Sequence, residues 1–291
     1  MTISYYSIGN HCIEVTGENI CSSMQQMDNF KPFRCEKHPA MVEVYRFEAA
    51  SRELHAEIRQ QIYHLDEEGV DIRFGRSKNG YTLQLTWNGE LHLTLSSEQG
   101  SRLCLLEGDM HPRLLSFAIW MGYGIMTAHA HTLLIHSSCI VYQNKAVLFL
   151  GESGTGKSTH TRLWQTHIVA SHLLNDDCPI IRMEDGKVWA YGGPWSGKMP
   201  CYRNERYELK ACVRLSQAPF NKMTRLSKLQ AYASLHPSCP PALAYDEYLY
   251  DGICETLGYM LENAGCYSMA CLPNAEAAKL SHAYIFNTPA L

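Results

Sequence analysis

Over its first hundred residues the chain runs in short apolar-rich segments set off by polar and turn residues. Segments 3–15, 41–47, 70–74, 81–87 and 90–95 read as short strands rich in β-branched and aromatic side chains. Asn88-Gly89 lies between the last two and predicts a tight hairpin, because both residues accept the positive φ of turns that match strand twist. Residues 51–63 read as one helix, with Ser51 as its N-cap. The reading is a mostly antiparallel β region over 1–108, ending near Glu107-Gly-Asp109 and carrying no motif tied to chemistry.

The remainder, 109–291, has longer periods. Residues 114–135 contain no Asp, Glu, Lys or Arg, a run long enough to span a bilayer. Gly122, Gly124, two histidines and the helix-start residues Met110-His-Pro112 argue instead for a buried helix over 113–128, then a strand over 132–141. Residues 145–150 read as a buried strand, 158–164 as the first turns of a helix, and 168–174 as the next strand. Further on, the pattern predicts a short helix over 226–233, a break at Ser238-Cys-Pro-Pro241 and a helix over 242–263 with Gly265 as its C-cap. A strand over 266–271 and a helix over 273–283 with Pro273 in its first turn complete it. This predicts an α/β (α+β) domain with a mixed sheet, preceded by the β-rich region.

Composition removes several function classes. A chain of 291 residues with 46% apolar and 19% charged side chains is globular, with room for one large or two ordinary domains. A net charge of −4 offers no electrostatic case for nucleic acid or an anionic membrane. The twelve cysteines form no C-x-x-C pair, and Met1-Thr-Ile-Ser-Tyr-Tyr6 does not read as a secretory leader, so reduced thiols and a cytoplasmic setting are expected. His129-Ala-His131 has no nearby partner at ligand spacing, so zinc is not expected.

Candidate chemistry begins at residue 151. Gly151-Glu-Ser-Gly-Thr-Gly-Lys-Ser158 is a complete G-x-x-x-x-G-K-[ST] loop between a strand and a helix, the context a phosphate cradle requires. Glycines at 151, 154 and 156 let successive N–H groups face one anion, and the helix N-terminus adds positive potential. Lys157 can reach the β- and γ-phosphates and the Ser158 hydroxyl can ligate Mg²⁺. Gly151, Ser153, Gly154, Thr155, Gly156, Lys157, Ser158 and Thr159 are therefore the candidate contacts to ATP. Asp176 and Asp177 end the following strand as an acidic pair suited to dividing two tasks, holding Mg²⁺ and accepting a hydroxyl proton. Ser158 and Asp177 are the candidate metal ligands. His136, fifteen residues before Gly151, stands on a strand able to lie beside the loop strand, where it can act as acid, base or charge stabiliser. Gly192-Gly-Pro-Trp-Ser-Gly-Lys198 forces a turn that exposes a flat Trp195 and a cationic Lys198, the latter able to neutralise charge on a transferred phosphoryl group. Arg203, Asn204 and Arg206 follow and suit either phosphate contacts or a solvated strand start.

His136, the loop and the Asp176-Asp177 pair together resemble the catalytic domain of bacterial HPr kinase/phosphorylase, over about residues 110–285. That family shares its nucleotide-binding core with the phosphoenolpyruvate carboxykinases, whose loop is also similar to Gly151–Thr159. The resemblance implies a carboxykinase-type P-loop core with ATP and Mg²⁺ as cofactors. It implies a catalytic histidine at His136, phosphate and metal binding at Lys157 and Ser158, and catalytic and metal-binding acids at Asp176 and Asp177. In family terms it also implies a homo-oligomer. Thr159 stands where HPr kinases carry glutamate, and the segment 192–198 replaces their glycine-rich signature, so neither HPr as acceptor nor reversal by phosphate is implied. The divergence is similar to HPr-kinase-like proteins found beside peptide-modification genes, some of which phosphorylate a peptide or a small molecule.

The expectation is a kinase that moves the γ-phosphoryl group of ATP to a hydroxyl of a peptide, protein or small molecule. A nucleotide hydrolase or switch, and a regulatory nucleotide-binding module, are the alternatives. Asn221-Lys-Met-Thr224 fails the guanine-reading pattern at its last position, which argues against a GTPase switch.

Overall fold

The computed structural model describes residues 2–37, 43–54, 56–67, 69–197 and 199–287. The chain forms two compact units, Met1–Ala130 with Pro241–Gly252 and His131–Pro240 with Ile253–Leu291. Both carry large mixed sheets with helices, an α+β architecture.

The strands of the first unit are β1 (Ile3–Ile8), β2 (His11–Thr16), β3 (Arg34–Cys35), β4 (Val44–Ala49), β5 (Gln60–Glu67), β6 (Val70–Arg76), β7 (Gly80–Trp87), β8 (Leu91–Glu98) and β9 (Leu103–Gly108). They lie in the order β3-β1-β2-β4-β9-β8-β7-β6-β5, with β2, β4 and β9 parallel and the other pairs antiparallel. Helix α1 (Glu18–Gln26) packs on β1, β2 and β4, and α2 (Pro112–Thr127) on β4, β7 and β8. At Gly122 a Cβ would come within 2.6 Å of the Phe47 ring and 3.0 Å of Leu95 and Cys104. Only glycine lets α2 approach the sheet this closely.

Asn88 (φ 53) and Gly89 (φ 70) form the expected turn. Segment 3–15 is a hairpin rather than one strand, reversed by Gly9 (φ 58) and Asn10 (φ 61), a second turn of the same kind. Residues 41 and 42 of the expected strand over 41–47 lie outside the described residues. The expected helix over 51–63 is not present among the described residues. Its end instead opens β5, which pairs with β6 from Gln60↔Arg76 to Glu67↔Val70. Pairing along an adjacent strand outweighs the modest helical preference of an exposed segment.

In the second unit the strands are β10 (Thr132–Leu134), β11 (Ser137–Tyr142), β12 (Lys145–Leu150), β13 (His172–Asp177), β14 (Ile180–Glu184), β15 (Lys187–Tyr191), β16 (Arg206–Gln217), β17 (Lys222–Arg225) and β18 (Gly265–Cys271). The order is β10-β14-β15-β16-β12-β11-β13, with β18 beside β16 and β17 beside β18. The helices of this unit are α3 (Lys157–His167), α4 (Lys228–Leu235) and α7 (Ala275–Phe286); α5 (Pro241–Ala244) belongs to the first unit, and α6 (Glu247–Asn263) starts in the first unit and ends in the second. Strands β12, β16 and β18 run parallel, so their C-terminal ends meet at one edge. Strand β13 ends there too, because β11 is antiparallel to both β12 and β13.

The expected strand over 132–141 is interrupted at Ile135 and His136. Its first part pairs with β14 and its second with β12 and β13, on opposite sides of the sheet, so the chain must cross between them. The strand expected from 168 starts at His172, after a turn with Ala170 at φ 67 and Ser171 N–H donating to Ile168 O. The expected helix over 242–263 is broken at Tyr245-Asp246, where the Asp246 carboxylate accepts the Leu249 N–H and caps α6. Gly265 is not a C-cap; it pairs with Ala211 as the first residue of β18. Asn274, rather than Pro273, starts α7 by accepting the Ala277 N–H. Among the described residues no helix is long and apolar enough to cross a membrane.

One face of this sheet is closed by α3 and α7 around Trp164, Phe149, Val147, Val213 and Met269, all buried. Within it the Ser281 hydroxyl donates to Ala277 O at 3.1 Å and accepts Trp164 Nε1–H at 2.9 Å. The same hydroxyl lies 3.0 Å from His160 Nε2, completing a buried three-residue network. Ser281→Ala therefore strands a buried indole N–H and a buried imidazole. We expect a loss of about 2–6 kcal/mol, from about 1–3 kcal/mol for each of the two orphaned groups, read from the denaturant midpoint; a loss within experimental error would mean that the two groups find other partners.

Candidate functional site

The loop emerges where the sheet geometry gathers chain ends. Leu150, the last residue of β12, is in register with Ser137 on one side and with Arg214 on the other, and Ser137 is in register with Asp177. Two strand spacings separate Leu150 from Asp177, roughly 10 Å. His136 immediately precedes Ser137, so the loop, His136 and Asp177 share one edge of the sheet.

Gly151, Gly154 and Gly156 have φ of 149°, 83° and 102°, a region that opposes any side chain. Gly156 is the left-handed N-cap of α3, and no side chain caps the N–H groups of that helix's first turn. Unpaired donors at a helix start form an anion site. The Thr155 hydroxyl and N–H both turn back to Glu152 O, and Gln217 Nε2 donates to Gly154 O at 3.1 Å, tying the loop to the end of β16.

Lys157 is buried, and its ammonium donates to Gly151 O at 2.8 Å and Glu152 O at 3.3 Å. Burial lowers its pKa from the ordinary lysine value. The carboxylates of Asp177, Glu152 and Asp176 oppose that shift, and the Arg214 cation adds to it. Lys157 is thus within electrostatic reach of both members of the acid pair. Asp176 is 3% exposed, whereas the Asp177 side chain is half exposed with Oδ1 3.4 Å from His136 Nε2.

Backbone geometry marks Asp177 as well. Its φ of 143° is unfavourable for a side-chain-bearing residue and is held by a bridge to Ser196. Gly197 N–H and the Ser196 hydroxyl both donate to Asp176 O. Asn175, fully buried, donates through Nδ2 to Trp195 O at 2.9 Å and Gly193 O at 3.4 Å and accepts the Cys178 N–H. Segment 192–197 therefore buttresses the acid pair. Trp195 is buried within it rather than exposed as a flat surface, and Lys198 lies outside the described residues.

Arg203 and Arg206 are engaged elsewhere. Arg203 pairs with Glu205, while Arg206 pairs with Glu184 at 2.6 Å and stacks on Trp189. Two cavities flank the loop. One of about 590 Å³ is walled by Thr159, His160 and Leu163 of α3, by Leu215 of β16 and by Leu272 and Pro273 beyond the end of β18. Its walls mix apolar side chains with the polar groups of Thr155, Thr159 and Gln217. The other, about 490 Å³, lies between Glu152, Ser153 and the β16 residues Arg214, Ser216 and Gln217. Arg214, Gln217 and the two cavities are not legible in the sequence, because only the β12–β16 register brings them to the loop. Among the described residues, no group of three or more His, Cys, Asp or Glu side chains forms a metal cage.

No family model and no curated protein matches the chain. A solved structure that aligns with it is the Hpr(Ser) kinase/phosphatase from Coxiella burnetii, at 13% identity over 53% of this chain and 88% of that chain, with a TM-score of 0.30. A score that low does not establish a shared fold.

His160 offers a pH test of the site's wall. Burial pushes its pKa down from 6.5 to about 4. As pH falls, the unfolded chain takes up the proton first, so the stabilisation is complete above pH 6.5 and is lost as pH falls towards 4. Its full size is roughly 3 kcal/mol. His160→Gln, which can still hydrogen-bond to Ser281, should show a shallower fall in Tm than the parent over that window. Equal slopes in the two proteins would mean that His160 is not held neutral.

Proposed function

We propose that the protein is an ATP-dependent kinase with the nucleotide phosphates on the loop 151–158 and a hydroxyl-bearing acceptor at the His136–Asp177 side. The observation that carries the reading is the convergence at one sheet edge of a loop with three positive-φ glycines, a buried Lys157 and the paired Asp176 and Asp177. A pure binder needs the first two features and no general base, whereas a pair of acids can supply a metal ligand and a base together. Motif order and spacing also support an HPr-kinase-like P-loop core, as the sequence resemblance implies.

The donors near the loop fit Mg²⁺. The Ser158 hydroxyl and the Asp177 carboxylate, with Asp176 adjacent, are hard oxygen ligands. Mg²⁺ takes one or two carboxylates and completes its shell with phosphate and water, needing no protein cage. When bound, it would neutralise phosphate charge and orient the triphosphate. The chain's own residues do the rest. The loop N–H groups and Lys157 hold the phosphates in line, and the larger cavity takes base and ribose. One carboxylate of the acid pair accepts the acceptor's proton while the other holds the metal; Asp177 is the more exposed of the two and lies beside His136. Lys198, which lies outside the described residues, stays the candidate from sequence for stabilising the transferred phosphoryl group.

The test is transfer from γ-labelled ATP with Mg²⁺ into lysate fractions from the source cell, with Lys157→Ala, Asp176→Asn and Asp177→Asn alongside. Label in a peptide, protein or metabolite should fall at least about a hundredfold in each variant, the scale of lost acid–base or electrostatic catalysis. Label released only as free phosphate would replace the kinase with a hydrolase. ATP bound tightly and recovered intact would leave a regulatory nucleotide-binding module.

A further inference from the structure

The smaller cavity beside the loop contains a cation that the kinase reading does not use. Arg214 lies on β16 in register with Leu150, the residue that leads into the loop. Val213 and Leu215 face the α3 cluster, so Arg214 emerges on the other face, where Nη1 donates to Ser234 O of α4 at 3.0 Å. That bond anchors the guanidinium at the cavity wall. Nη2 meets the Glu152 carboxylate, the second residue of the loop, at 2.5 Å.

The two partners differ in how firmly they are held. The Arg214 side chain is 24% exposed and fixed by α4, whereas Glu152 is 71% exposed and bound at its carboxylate by Arg214. An ion pair with one partner in solvent contributes little and breaks at small cost. Lys157 shows the same arrangement, since its ammonium is occupied by Gly151 O and Glu152 O. Both cations near the loop are thus engaged by the loop's own oxygens, and Glu152 contributes to each. An incoming triphosphate would repel the Glu152 carboxylate while offering the guanidinium a better bidentate partner.

We propose that Arg214 is a phosphate-binding residue masked by Glu152 in the free protein, and that nucleotide phosphate displaces this carboxylate from it. The proposal rests on the reading of the loop as a nucleoside triphosphate site. It adds a third protein contact class, besides the loop N–H groups and Lys157, and makes Glu152 a built-in competitor that sets affinity.

Calorimetric titration with Mg·ATP, and with adenosine as a phosphate-free probe, tests it. Glu152→Gln unmasks Arg214 and should tighten ATP binding about two- to fivefold, the worth of an exposed ion pair. Arg214→Gln should weaken it about tenfold or more, the scale of charge-assisted hydrogen bonds. The double variant should bind like Arg214→Gln alone, and adenosine should bind all three proteins alike. Weaker ATP binding by Glu152→Gln would mean that the pair shapes the loop and would overturn the proposal, as would an unchanged Kd for Arg214→Gln. Thermal unfolding verifies that each variant is folded, and Arg214→Lys replaces Arg214→Gln if the latter is not. Lys157→Ala separates the two claims: undiminished ATP binding by that variant removes the nucleotide reading itself, whatever Arg214 does.

Discussion

The site depends on parallel pairing among β12, β16 and β18. Three neighbouring strands that run the same way bring three C-terminal ends to one edge, and open sheets bind ligands outside such ends. Leu150 leads into the glycine loop, Gln217 reaches back to Gly154, and Cys271 leads into the Leu272-Pro273 wall of the larger cavity. Strand β11, running the other way, starts at the same edge, and that is what delivers His136 to Asp177. A one-residue slip in the β12–β16 pairing would turn Arg214 towards the α3 core and carry Leu215 away from it.

Electrostatics at this edge describe an unfinished charge balance. Burial, with a smaller contribution from the Arg214 cation, disfavours the charged form of Lys157, and the compensation comes from Asp177, Glu152 and Asp176. The apolar cluster around Trp164 holds α3 rigidly against the sheet, so the first-turn N–H groups stay aimed at the loop. Ser281 joins that core to the cavity wall through Trp164 and His160. Core packing and site geometry therefore share residues.

Different kinds of signal account for what was readable in the chain. Gly151 to Ser158 was legible because its chemistry is local: backbone angles, donor direction and a lysine all lie within eight consecutive residues. Asn88-Gly89 was legible for the same reason, as was the charge-free helix before Thr132. The segment 51–63 misled because a helical spacing of apolar residues is weak in an exposed stretch, and pairing with Val70–Arg76 overrode it. His136 was placed near the loop for the right reason, a neighbouring strand, although the strand stops to either side of it. Trp195 was read as exposed because a Gly-Gly-Pro turn ordinarily sits in solvent. Here Asn175 draws that turn beneath the acid pair.

Sequence by itself determined the glycine-rich loop between strand and helix, the acid pair that follows it and the alternation of strands and helices around them, since each rests on interactions between residues near in the chain. The tertiary structure alone decided which carboxylate meets the histidine, which arginine faces the loop and where the cavities beside it lie. Those outcomes depend on strand register between segments some sixty residues apart, such as Glu152 and Arg214. No local pattern encodes that register, because it is selected by packing the whole sheet at once.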